Sequence, residues 1–147
     1  MNAFIDFASL ETTLNPVLDP AIYVEPKDRD PRLEDPRQAH WVALMRRTAH
    51  ACLVFAVPNG TNIATRRGRR KVKREGLYTG FPDTGVAYAD TVAFLEWKSG
   101  KGDLSDAQIE ALNWLHRRGH PVAVVRTTEG AMAWLWSIGA PVPEVRR

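Results

Sequence analysis

Two apolar runs, Thr84 to Ala89 and Thr91 to Lys98, are separated by little more than Asp90, which joins them as a tight antiparallel hairpin. A third apolar run, Val122 to Arg126, reads as a buried strand and follows a helical segment. Ser105 opens that helix, Ile109, Leu112 and Leu115 form its buried stripe, and His116, Arg117, Arg118 and Gly119 close it. Upstream, Asp35 can cap a helix and Pro36 fits its first turn, while Trp41, Leu44, Met45 and Thr48 continue the helical spacing over residues 36 to 49. Ala51 to Val57 reads as a short apolar strand ending at the turn Pro58-Asn59-Gly60, and residues 128 to 138 read as a last helix ended by Gly139. Thr61 to Gly80 lacks an apolar period and is expected as a long loop with one helical turn at most. The order predicts an α/β fold, a small mixed β-sheet flanked by helices, and 147 residues suffice for one such domain but not two.

The net charge of +3 hides an asymmetry. Residues 1–35 hold eight acidic side chains against Lys27, Arg29 and Arg32, a balance of −5 that leaves +8 for the rest. Seven cations fall within nine positions: Arg66, Arg67, Arg69, Arg70, Lys71, Lys73 and Arg74. Such a block points to a polyanion, nucleic acid above all, with a solvated surface loop as the alternative. Residues 1–33, with four prolines among mixed charges, read as an extended acidic arm without a core of its own, wrapping the domain or a partner. Residues 34–147 make the domain.

Several function classes are excluded. Apolar residues at 44% and charged residues at 25% argue against wholesale disorder, and no apolar run approaches the roughly 18 residues of a membrane span. The early Asp6 and Glu11 do not fit a secretory signal. The single cysteine, Cys52, has no internal disulfide partner and reads as a small buried hydrophobe in a reducing, cytoplasmic setting. His116 and His120 have helical spacing, but Gly119 and Pro121 interrupt the helix, so neither a zinc site nor a histidine-based nuclease constellation is expected. Ser99-Gly100-Lys101-Gly102 lacks the upstream glycine of a nucleotide-binding phosphate loop.

The chemistry concentrates on Gly80-Phe81-Pro82-Asp83 and Phe94-Leu95-Glu96-Trp97-Lys98. Alternate side chains of a strand share a face, so Glu96 and Lys98 project together while Trp97 packs on the other side. Antiparallel pairing can bring Asp83 opposite Glu96. Two converging carboxylates make a hard, oxygen-rich site of the kind Mg²⁺ prefers, and the Trp97 backbone carbonyl can add a further oxygen. A second reading stands beside this one: Asp83 as a turn residue after Pro82, and Glu96 with Lys98 as a surface ion pair.

These segments, followed by Leu104-Ser105-Asp106-Ala107-Gln108 and Gly119-His120-Pro121-Val122-Ala123-Val124-Val125-Arg126, resemble in order the VRR-NUC branch of the PD-(D/E)xK nuclease superfamily, which has a restriction-endonuclease-like core. Glu34-Asp35-Pro36-Arg37-Gln38 is similar to that family's first helix, and Val57-Pro58-Asn59-Gly60 with the basic residues after it is similar to short phage and bacterial members. The likeness spans about residues 34 to 140. It implies Asp83 and Glu96 as metal ligands, Lys98 as the catalytic lysine, Gln108 as the motif glutamine and Glu34 as the acidic residue of the first helix and a further metal ligand, a place that Asp35 can also take. Gln108 has a second reading as the last member of a capping box opened by Ser105.

The resemblance further implies a Mg²⁺-dependent endonuclease, with Mn²⁺ as a substitute, hydrolysing phosphodiester bonds of DNA in a bacterial cell or a phage-infected host. Lys98 then acts as general base or, if protonated, orients the water and stabilises the transition state. Seven cations beside the site can grip the DNA backbone. Six phosphate contacts would give a slope of about −5 for log affinity against log salt. Backbone contacts carry no sequence information, so junctions, flaps or branched duplexes are the expected substrates, and family members of this size look like homodimeric junction resolvases. The alternative is a catalytically inactive nucleic-acid-binding module with the same fold.

Overall fold

A computed structural model describes residues 15–58 and 65–146. The expected turn at Pro58-Asn59-Gly60 and the first fourteen residues of the acidic arm lie largely or wholly outside the described residues.

The hairpin is the centre of the sheet. Strand β3 (Thr84–Tyr88) pairs antiparallel with β4 (Thr91–Trp97), Tyr88 opposite Thr91, so Ala89 and Asp90 alone make the turn. Strand β5 (Val122–Val125) pairs parallel with β4, β2 (Leu53–Ala56) pairs antiparallel with β3, and β1 (Tyr23–Val24) pairs parallel with β5. The order is β1-β5-β4-β3-β2, a five-stranded mixed sheet. Both faces are covered. Helices α1 (Glu34–Thr48) and α4 (Thr128–Ser137) lie on the face that carries Val86, Leu95, Trp97, Ala123 and Val125, and α3 (Asp106–Arg117) on the face that carries Phe94, Val122 and Val124.

Period-two alternation accounts for this split. Leu95 and Trp97 are fully buried on the α1 side, where the Trp97 ring meets Trp41 at 5.4 Å between centroids. Its indole N–H donates to the Thr84 hydroxyl (3.2 Å), which in turn donates to the Leu95 carbonyl (3.2 Å). On the opposite face, Gly85 of β3 sits across from Phe55 of β2; a Cβ there would lie 2.1 Å from the Phe55 ring, so the glycine gives the aromatic its seat.

Four expectations change. The basic block is helical: α2 (Arg66–Arg74) forms with the Thr65 hydroxyl accepting from the Gly68 N–H (3.0 Å), whereas the sequence suggests a loop because no apolar stripe marks the segment. Helix α1 begins at Glu34, with Leu33 as its N-cap and no side-chain cap, so Asp35 stands in the first turn instead of capping it. Strand β2 is shorter than Ala51 to Val57 and, at the sheet edge, leaves Leu53 exposed. In α3, Ile109 is only partly buried, and Ala111 joins Leu112 and Leu115 in the packed stripe.

Residues 15–33 run along the domain. Ile22 is buried with Leu112 and Phe94, Tyr23–Val24 adds the fifth strand, and the Asn113 side chain accepts from the Asp19 N–H (2.8 Å) and donates to the Val17 carbonyl (2.9 Å). Cys52 is half-buried, and burial pushes its thiol pKa up.

Trp97→Ala removes the largest side chain shared by the sheet and α1 and is expected to cost about 3–5 kcal/mol of stability in urea unfolding, with Trp97→Phe closer to the wild type. Unchanged stability in Trp97→Ala would contradict this packing.

Candidate active site

The site forms where β4 ends. Continuing the β3–β4 register one step past Thr84 opposite Leu95 sets Asp83 opposite Glu96. An Asp83 carboxylate oxygen accepts from the Trp97 backbone N–H (2.8 Å), which fixes this residue to the strand that carries Glu96 and Lys98. Glu96 is 1% exposed and Lys98 7%; the Lys98 ammonium lies 3.4 Å from Glu96 Oε1 and 3.8 Å from Glu34 Oε1. Glu34, the first residue of α1, also accepts from the Ser99 N–H (3.4 Å), while Asp35 is exposed. Glu34 rather than Asp35 therefore reaches this cluster.

Gln108 makes two contacts at once. Its side-chain oxygen accepts from the Ser105 N–H (2.9 Å), completing the capping box of α3, and its amide nitrogen donates to Glu96 Oε1 (2.6 Å). One side chain thus closes the helix and ties that helix to the buried carboxylate. The close approach is set by Gly80: its φ of +82° is in the left-handed region, and a Cβ there would lie 2.5 Å from the Ala107 carbonyl carbon. Only glycine lets the Phe81-Pro82-Asp83 segment lie against the start of α3.

A second framework went unread in the sequence. Arg126, closing β5, is 4% exposed, and its guanidinium donates to the carbonyls of Ser99, Gly100 (3.3 Å), Gly102 (3.1 Å) and Glu25 (3.0 Å). The loop that follows Lys98 is thereby clamped. Glu25 returns the contact, accepting from the Arg126 N–H (2.6 Å), the Thr127 N–H (3.0 Å) and the Thr127 hydroxyl. Arg37 is also buried; it pairs with Asp28 (2.8 Å), donates to the Arg126 carbonyl (2.7 Å), and holds the Asp28 carboxyl below its usual pKa. Nothing local distinguishes these arginines from surface cations; the one signal is a charged residue directly ending the apolar run Val122 to Val125.

Among solved structures, one described as a VRR_NUC domain protein matches this chain with a TM-score of 0.61, over 78% of this chain and 93% of the other, at 18% identity. The chain has the VRR-NUC fold. No protein-family model and no curated protein matches the sequence. In this VRR-NUC fold the sequence-derived residues Asp83, Glu96, Lys98, Gln108 and Glu34 come together at the end of the central hairpin. The seven cations are exposed on α2.

The donor set fits a small hard cation. Glu96 Oε2 is buried with no hydrogen-bond partner among the described residues, and burial, reinforced by the Asp83 charge and only partly offset by Lys98, raises the Glu96 pKa from 4.5 to about 8. A positive charge beside that orphaned oxygen relieves both penalties. Among the described residues no three His, Cys, Asp or Glu side chains form a metal-holding group, so a cation here would meet Asp83 and Glu96, with backbone carbonyl and water oxygens left to complete its shell.

The raised pKa has a sign. Below about pH 4.5 Glu96 is protonated whether the chain is folded or unfolded; between 4.5 and about 8 the unfolded chain has lost that proton while the folded one keeps it. Stability of the metal-free protein is therefore lost as pH rises through this window, by several kcal/mol from this group. Urea melts in EDTA at pH 5 and pH 8 are expected to show that loss in the wild type and a much smaller one in Glu96→Gln. Equal pH dependence in both proteins would refute the assignment.

Proposed function

We propose that the protein is a divalent-cation-dependent DNA nuclease, with Asp83, Glu96 and Lys98 at its centre. The observation that carries the reading is the buried Glu96 with an orphaned oxygen, set opposite Asp83 and beside Lys98 at the end of one strand. A buried carboxylate with one oxygen left unsatisfied is a poor structural element and a good ligand. Asp83 and Glu96 would hold Mg²⁺ or Mn²⁺, together with the Trp97 carbonyl, and the bound ion supplies activation of water and neutralisation of phosphoryl charge.

The remaining roles belong to the chain's own groups. Lys98, fixed between Glu96 and Glu34, presents an N–H donor and positive charge to the phosphate and the attacking water. Gln108 orients the Glu96 carboxylate through its 2.6 Å bond. Glu34 positions Lys98 and is not needed as a ligand. Helix α2 supplies a cationic stripe for phosphates, which grips any sequence, so structure rather than sequence selects the substrate and branched or flapped DNA suits the site.

Incubation with branched, flapped and linear DNA, with and without Mg²⁺ or Mn²⁺, tests the reading. Cleavage is expected only with the ion and is expected to fall by at least about 100-fold in Asp83→Asn and in Lys98→Ala, with DNA binding retained. Binding without metal-dependent cleavage of any substrate would make the protein a non-catalytic nucleic-acid-binding module. Undiminished cleavage in Asp83→Asn would remove the site assignment.

A further inference from the structure

Beside the carboxylate pair, α3 leads to an aromatic cleft that the proposed chemistry does not use. Ala111 and Leu115 lie on the same side of α3 as Gln108, with Trp114 at its margin, and these three face Tyr78 and Phe81 across a cleft of about 360 Å³. Six residues at the helical rise put Trp114 about 9 Å along the axis from Gln108. Tyr78 is 57% exposed and Trp114 49%, so the cleft is open to solvent.

Three features narrow its occupant. Three of the five lining side chains are rings, and a line of ring contacts leads from them to the site: Tyr78 packs edge-on to Phe81 (6.4 Å), Phe81 edge-on to Phe94 (5.2 Å), and Phe94 stands two residues before Glu96 on the same face of β4. A cation flanks the cleft: the Arg118 guanidinium lies 3.7 Å over the Trp114 ring. A second opening lined by Tyr78, Phe81, Pro58 and Glu75 connects the same aromatic ridge to the end of α2. Aromatic faces beside positive charge, within a nucleotide or two of a phosphodiester site, match the stacking platforms that hold unpaired bases.

We propose that the cleft between Tyr78 and Trp114 binds an unpaired nucleobase of the DNA strand whose phosphodiester lies at Asp83 and Glu96. The proposal rests on the nuclease reading and adds the physical basis of its selectivity: a fully paired duplex offers no free base to stack, whereas a flap, a junction or a melted end does. Stacking takes any of the four bases, so selection is for structure and not for sequence.

Fluorescence anisotropy in EDTA separates this from catalysis, using three labelled probes: a short oligothymidylate, an abasic strand of the same length and a blunt duplex. Wild type is expected to bind the oligothymidylate about 10-fold more tightly than the abasic strand, and Trp114→Ala to abolish that difference while leaving affinity for the abasic strand and the duplex unchanged. Trp114→Phe, which keeps a ring, is expected to retain most of it. Thermal melts verify that both variants fold, as substitution of a half-exposed residue allows. Equal wild-type affinity for the first two probes would overturn the proposal. So would a uniform loss on all three probes in Trp114→Ala, or a wild-type dimer in sedimentation that dissociates in this variant, which would give the cleft to a second copy of the chain. Because no metal is present, base-dependent binding with no cleavage in Mn²⁺ would defeat the nuclease reading alone, and metal-dependent cleavage with base-independent binding would defeat the cleft alone.

Discussion

The burial of Glu96 is the constraint on which the rest of the site depends. A carboxylate at the end of a central strand, sealed from water, is costly unless something compensates it, and each neighbouring element compensates part. Helix α3 sends Gln108 to one oxygen, the strand itself sends Lys98, and the other oxygen is left without a donor. Lys98 in turn draws Glu34 and the start of α1 toward the same point. Opposite sheet faces are thus joined through one buried charge, because α1 and α3 cover different sides of the sheet but side chains of their first turns, Glu34 and Gln108, meet the Glu96–Lys98 pair at its end. Removing Lys98 or Gln108 would leave Glu96 less compensated; a bound cation would complete its compensation.

Positioning at this end of the sheet is the work of buried arginines. Arg126 gathers three carbonyls of the loop after Lys98, and Arg37 binds the carbonyl of Arg126 and the carboxylate of Asp28. A guanidinium carries five donors in a fixed plane, which suits a place where several carbonyls point inward with no strand to pair them. Asp28 is the counter-charge of Arg37, and the Glu25 carboxylate accepts from the backbone N–H groups of Arg126 and Thr127, so part of the acidic surplus of the N-terminal segment has a structural role in the domain.

Much of this was legible in the sequence because local rules and the global fold agree. The hairpin, the β4 alternation that separates Trp97 from Glu96 and Lys98, and the capping box at Ser105 each follow from spacing alone, and the structure keeps all three. Where the reading departed, long-range contacts decide. A nine-residue helix with seven cations has no apolar stripe to announce it, and its cap at Thr65 is weak evidence by itself. A two-residue strand such as β1 carries no periodicity; it exists because β5 offers an open edge and Ile22 a buried anchor. Arg37 and Arg126 look like surface charges until their carbonyl partners, distant in sequence, are in place. The dual role of Gln108 was half visible: the cap is local, and the bond to Glu96 depends on the approach that Gly80 permits.

The central claim is that Asp83 and Glu96 form a cation site completed by neither Lys98 nor Glu34. Calorimetric titration of Mn²⁺ into the wild type at pH 8, beside Asp83→Ala, Glu96→Gln, Glu34→Gln and Lys98→Ala, tests it most directly. The account predicts saturable binding in the wild type, weakened at least about 10-fold in Asp83→Ala and Glu96→Gln and retained in Glu34→Gln and Lys98→Ala. Equal binding by all five proteins, or loss only in Glu34→Gln, would contradict it.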